Sequence, residues 1–221
     1  MHSGNGQVVP RGFPTEEFLK VKLTDPAGNP IVGATVTWEL ASGQGLVHPS
    51  TSQTDLDGIA KGRYSGPVIL ATTISWLTSE VKASVPGFEP VKFVVTAIPE
   101  IIFGVWAKPT YNLLAPGTSG IIEGQAGQVL PGAVKVRSIA IGGTNTGRGI
   151  PNVGVDLVSD LDPETNPTAS CVGEGNTALS DATGVTSCDV KLGGVIGGPV
   201  PIRVRAGGGG RDAGTEYTVF L

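Results

Sequence analysis

Asp25-Pro26-Ala27-Gly28-Asn29-Pro30 is a dense run of turn formers. It stands between Phe18-Leu19-Lys20-Val21-Lys22-Leu23 and Ala34-Thr35-Val36-Thr37-Trp38-Glu39-Leu40. From Leu19 onward the first flank alternates apolar and charged residues. The second places Ala34, Val36, Trp38 and Leu40 on one face. A period of two is the signature of a half-buried strand. Pro fixes φ while Gly and Asn tolerate the left-handed region, so the stretch between the flanks reads as a turn. Strand, turn, strand is therefore the unit from which the chain is built.

The unit recurs along the chain. Asp57-Gly58 is a tight-turn pair, and Val91-Lys92-Phe93-Val94-Val95-Thr96-Ala97 closes a first sandwich. Val134 to Ala140, Gly154 to Val158, Cys188 to Leu192, Ile202 to Ala206 and Tyr217 to Leu221 read as strands of a second. No window of 12 or more residues shows a convincing helical period. Strands separated by Gly, Pro and Asp signals predict an all-β sandwich fold.

The copies are related in sequence. Gly6-Gln7-Val8-Val9-Pro10 recurs as Gly127-Gln128-Val129-Leu130-Pro131, and Pro30-Ile31-Val32-Gly33-Ala34 as Pro151-Asn152-Val153-Gly154-Val155, at one common offset. Thr54-Asp55-Leu56-Asp57-Gly58 resembles Ser180-Asp181-Ala182-Thr183-Gly184 at a larger offset, which places an insertion at Asp160–Pro167. For 221 residues, a repeat of this size predicts two domains. The expected division is 1–98 for the first, 99–119 for an apolar interdomain segment and 120–221 for the second.

The first copy's motifs resemble the bacterial immunoglobulin-like group 1 repeats of the invasin and intimin type. They are Gly4-Asn5-Gly6-Gln7, Val21 to Asp25, Gly28-Asn29-Pro30, Val32-Gly33, Val36-Thr37-Trp38 and Thr54 to Ala60. The resemblance spans nearly the whole first copy. In the second it rests on Gln128, Pro151, Gly154, Asp181 and Gly184. It implies two tandem immunoglobulin-like β-sandwiches that serve as extracellular stalks, spacers or adhesive tips. The motif residues of that family are turn and core residues, so the resemblance transfers no active site.

Composition points the same way. Charged residues are 15% of the chain, against about 25% in ordinary soluble proteins. The net charge is −4 and no block of Lys and Arg is present, so nucleic acid is not expected as a partner. No run reaches the length of a membrane-spanning helix. The start, Met1 to Gly6, carries no charged-then-apolar leader, so an exported form is expected to be mature or a fragment. Cys171 and Cys188 are an even pair with no CxxC spacing and no neighbouring His, which reads as a disulfide rather than a metal site. That places the chain in an oxidising, extracellular or cell-surface setting.

Catalytic chemistry is not expected. A nucleophile needs a base within reach, and the chain has 2 His, one at position 2 and one beside Pro49. Gly207-Gly208-Gly209-Gly210-Arg211 lacks the Lys-Ser/Thr of a phosphate loop. Asp160, Asp162 and Glu164 are a candidate calcium cluster, with a solvated loop as the alternative. No cofactor is expected.

The connection is unusual for a linker. Ile98 to Ala107 is β-branched and aromatic, whereas linkers are ordinarily polar. Apolar surface of that size needs cover at about 25 cal/mol per Å². Two covers are open: packing between the domains, or a neighbouring molecule, with Ile101, Ile102, Phe103, Val105 and Trp106 as the assembly contact. The expected partners are therefore further copies or neighbouring immunoglobulin-like domains, with a surface glycan or protein as the second possibility.

Overall fold

The computed structural model describes residues 1–68, 76–98, 108–115, 120–141, 146–208 and 212–220. Leu19 and Val21 are buried and Lys22 is exposed, and Val36 and Trp38 are buried between exposed Thr35, Thr37 and Glu39. The alternation read from the sequence is thus the alternation of the sheets.

The first sandwich is built from β1 (Gln7–Pro10), β2 (Leu19–Lys22), β3 (Thr35–Ser42), β4 (Leu46–His48), β5 (Thr51–Gln53), β6 (Ile59–Ser65), β7 (Leu77–Ser84) and β8 (Val91–Ile98). One sheet has the order β1-β8-β7-β3-β5 and the other β2-β6-β4. Val9, Leu19, Val36, Trp38, Tyr64, Val81, Phe93 and Val95 fill the space between them.

The second sandwich contains β9 (Lys108–Ala115), β10 (Ile121–Glu123), β11 (Val129–Ile141), β12 (Gly154–Val158), β13 (Pro167–Cys171), β14 (Ala178–Leu179), β15 (Val185–Gly194), β16 (Val200–Ala206) and β17 (Asp212–Phe220). Its sheets are β10-β17-β16-β12-β14 and β13-β15-β11-β9. Strand for strand this repeats the first order, with β9 added beside β11. Lys108–Ala115 falls within the stretch read as the interdomain connection, yet it pairs antiparallel with β11. In both sandwiches the first sheet strand runs parallel to the last, β1 with β8 and β10 with β17.

The same turn is built twice. Thr54 Oγ1 donates to the Ile31 carbonyl and accepts from the Ala34 amide, and Ser180 Oγ does the same with Ile150 and Val153. Gly58 and Gly184 both have positive φ, and a Cβ at either would lie 2.4 Å from a carbonyl oxygen, of Leu23 and Ser138 respectively. Side chains are excluded there by space and by backbone conformation.

These contacts correct the alignment of the copies. Ala34 corresponds to Val153, so Gly33 matches Asn152, and both have positive φ. Asn tolerates that region better than most side chains. The sequence match had slipped by two residues, which preserves the face of every strand residue. The Gly6–Pro10 match fails differently. Gln7–Pro10 forms β1, while Val129-Leu130-Pro131 opens β11, the counterpart of β2.

The turns carry a pH dependence. Asp25 and Asp181 accept first from a side chain (Asn29 and Thr183), and Asp55 from the Ile59 amide; each carboxyl is held below its ordinary value of 3.8. A group whose folded pKa is depressed stabilises the fold above its unfolded value. That contribution is lost as pH falls through the folded value. Thermal stability is therefore expected to decline as pH drops below about 4. The double variant Asp55→Asn/Asp181→Asn should have a flatter melting profile over that range, because Asn accepts the turn bonds but does not ionise. An unchanged acid slope would refute the assignment.

Candidate functional site: the joint between the sandwiches

A glycine inside a strand often marks a place where another backbone comes close. Gly154, the first residue of β12, corresponds to Thr35 at the start of β3. The Gly154 amide donates to the Gly6 carbonyl at 2.8 Å, the Gly207 amide to the Gly154 carbonyl at 2.8 Å, and the Val8 amide to the Gly207 carbonyl at 2.7 Å. The bond between Gly207 and Gly154 lies within the second sandwich, and the other two cross the joint. They satisfy amide and carbonyl groups beside β1, an edge strand of its sheet. Unpaired edges invite association, so this edge is covered within the chain.

The approach leaves no room for side chains. A Cβ on Gly6 would lie 2.3 Å from Gly154 Cα, and one on Gly208 would lie 2.3 Å from Gln7 Cγ. Gln7 is 1% exposed. Its Nε2 donates to the carbonyls of Gly4 and Glu17, and its Oε1 accepts from the Glu17 amide. That fixes Glu17, whose carboxylate receives Arg205 Nη1 of the second sandwich at 2.6 Å. Arg205 also holds Asp156 through Nε and Nη2. The bridging cation is therefore oriented from both sides.

Beside these contacts lies an apolar seam. Val8 and Ile98 of the first sandwich meet Ile150 and Val153 of the second, with Trp76 and Ala140 packed against them. The Arg148 guanidinium lies 5.2 Å from the Trp76 ring centroid. Thr96 Oγ1 donates to the Pro151 carbonyl, and Asn152 Nδ2 to Thr78 Oγ1, both at 3.2 Å.

The sequence left the apolar connection with two possible covers, the other domain or a neighbouring molecule. Ile101, Ile102, Phe103, Val105 and Trp106 lie outside the described residues. Among the described residues, the joint is formed by Asn5–Val8, Trp76–Thr78, Thr96–Ile98, Ile150–Gly154 and Arg205–Gly208. The signal that could have found it is Gly154, a strand residue with no side chain where the first copy has a β-branched one.

The other candidate residues are separate from the joint. Cys171 and Cys188 form a disulfide with Cα atoms 5.3 Å apart. It joins adjacent strands of one sheet, since Cys171 sits opposite Val190. Both cysteines are buried, and Cys188 corresponds to Gly62 of the first copy, as Leu157 does to Trp38. A Cβ on Gly62 would lie 2.5 Å from the Trp38 ring. Where the first core has an indole over a glycine, the second has a leucine and a disulfide. Of the proposed calcium cluster, Asp160 accepts from Arg203 at 2.6 Å and Asp162 accepts from the Glu164 amide. Among the described residues no three His, Cys, Asp or Glu side chains converge as a metal site. No described helix is long and apolar enough to cross a membrane.

No protein-family model and no curated protein sequence matches the chain. Similar solved structures include the D0-D1 domain of intimin, with 12% identity and a TM-score of 0.38 over 98% of this chain and 95% of that one. The Yersinia pseudotuberculosis adhesin InvE is 16% identical, with a TM-score of 0.36 over 97% of this chain and 56% of that one. Extracellular cadherin domains 3-6 of protocadherin gamma B2 are 13% identical, with a TM-score of 0.30 over 100% of this chain and 46% of that one. By its own strand order the chain is two tandem immunoglobulin-like β-sandwiches.

Proposed function

We propose that the chain is a non-catalytic extracellular module that works mechanically, as a rigid two-sandwich unit of a cell-surface stalk, filament or surface assembly. The observation that supports this most is the joint. Backbone bonds through Gly6, Gly154, Gly207 and Val8, a buried seam and the Glu17–Arg205 bridge all oppose rotation of one sandwich against the other. Ordinary interdomain contacts permit relative motion unless they are large and apolar. A spacer transmits position and force only if its units do not swivel. The disulfide suits an oxidising exterior. In this reading residues 1–98 and 120–221 are the two units, with Lys108–Ala115 joined to the second. Ile101, Ile102, Phe103, Val105 and Trp106 are the contact such a subunit would offer a neighbouring copy.

The test is backbone ¹⁵N relaxation of the intact oxidised chain. The two sandwiches are expected to report one rotational correlation time. Two shorter and distinct times would show independent tumbling and remove the mechanical reading.

A further inference from the structure

Separate stretches of sequence bring four cations together on one surface. In the sheet β2-β6-β4, Leu19, Val21, Ala60 and Tyr64 point inward and are buried. The residues between them, Lys20 and Lys22 on β2 and Lys61 and Arg63 on β6, therefore stand on the outer face. Lys20 sits directly opposite Lys61, and His48 of β4 opposite Arg63. Adjacent strands are ~4.8 Å apart and same-face neighbours along a strand ~6.7 Å apart, so the cations form a regular grid.

The opposite sheet of the same sandwich differs. There Lys82 pairs with Glu39 and Lys92 with Glu80. On the β2-β6-β4 face, Lys20 and Lys22 make no ion pair within 4.0 Å among the described residues, and Lys61 reaches Asp55 only at 3.9 Å with both side chains about half exposed. Like charges directly across a ladder destabilise it, so the Lys20–Lys61 pair is a cost to the fold. Lysines on outer strands can deter edge-to-edge pairing. That does not account for Lys61 and Arg63, which lie on the central strand. Arg63 is also held in place, stacked 4.3 Å over the Phe18 ring and bonded to the Glu16 carbonyl. His2 adjoins the grid, its amide bonded to the Lys20 carbonyl. Partial burial first, and then Lys20 and Lys22, depress its imidazole pKa.

We propose that this face binds an anionic polysaccharide, with Lys20, Lys22, Lys61 and Arg63 contacting its carboxylate or sulfate groups. The proposal rests on the reading of the chain as an extracellular module. The face is an open sheet, so each contact is solvent-exposed and weak. Useful affinity then requires a ligand that repeats its charge, as a polymer does. Single-stranded nucleic acid would need aromatic stacking platforms, and on this face the Phe18 ring is already covered by Arg63. The chain as a whole carries −4, so binding of a polyanion would have to be local.

The test is titration of the intact chain with heparin at low salt, alongside neutral dextran and duplex DNA. Heparin is expected to bind, with affinity falling steeply as salt rises. Lys20→Ser/Lys61→Ser should weaken binding at least ~10-fold, since two of four counterion-releasing contacts are lost. Its melting temperature should not fall, because the substitution relieves a like-charge pair. Lys22→Ser, at an exposed position, should weaken binding by a smaller factor, and Lys82→Ser/Lys92→Ser on the opposite sheet should leave it unchanged. No heparin binding, equal losses from the two double variants, or equally tight DNA binding would each overturn the proposal. Relaxation measurements on the same sample test the rigid joint separately, so either reading can fail alone.

Discussion

Gly6→Ala is expected to uncouple the two sandwiches. The added Cβ would lie 2.3 Å from both Cα and N of Gly154. These are backbone atoms, so no flexible side chain can swing aside. Gly6 also has a φ of 70°, a region that costs a residue with a Cβ about 1–2 kcal/mol. The sandwiches would have to separate at this point. The two backbone bonds that cross the joint, of about 0.5–1.5 kcal/mol net each, would be strained or lost, and the Val8–Ile150 seam would open to water. The parent is expected to unfold in one calorimetric transition, and Gly6→Ala in two, with about 3 kcal/mol of coupling removed. Gly154→Ala separates the causes. Its φ is not positive, and its Cβ would meet the Asn5 carbonyl and Thr177 Cγ2 at 2.7 Å. It should split the transition less widely. If Gly6→Ala retains the parent's single transition and midpoint, the joint does not couple the sandwiches.

Removing the disulfide is expected to weaken one sandwich and spare the other. Cys171 and Cys188 are separated by 17 residues, and closing a loop of about this size contributes about 3 kcal/mol in the chain-entropy model. Cys171→Ala/Cys188→Ala also deletes sulfur atoms from a core where both cysteines are nearly fully buried, which adds a cavity cost. For a domain of this size, about 3 kcal/mol corresponds to a fall in midpoint of roughly 12–24 °C. In the Gly6→Ala background, where the two sandwiches unfold separately, calorimetry should show the loss in strands β11–β17 with the first sandwich little changed. Reductant should reproduce it when both cysteines are present. Equal destabilisation of both sandwiches, or none, would contradict this assignment.

Much of this architecture could be read from residue order. Lys20 and Lys22 between Leu19, Val21 and Leu23 fixed a strand face. Asp55-Leu56-Asp57-Gly58 and Asp181-Ala182-Thr183-Gly184 marked the same turn twice, because carboxylate capping and a glycine under a carbonyl are local demands. What escaped was non-local. The joint is made largely by backbone atoms, and its cue is the missing side chain at Gly154. The cationic face needs the register of β2 against β6, which sets Lys20 beside Lys61 although they are 41 positions apart in the sequence. Gln7 and Gln128 share a local pattern but occupy different strands, since short apolar runs do not specify their partner. Lys108–Ala115, with its Pro109, falls to the connection when each copy is bounded by its Gly-Gln segment. An edge position beside β11 tolerates that proline.

The parallel pairing of first and last strands matters when the chain is under tension. Pulling on the two ends of the first sandwich draws β1 and β8 in opposite directions along their length. The bonds between such strands are loaded together, in shear, whereas a hairpin pulled from its open end unzips one bond at a time. The first sandwich therefore carries a clamp at its terminal strands. The backbone bonds from Gly154 and Gly207 lie along its outer side. A tensile load would meet resistance first at β1, the strand held from both sides.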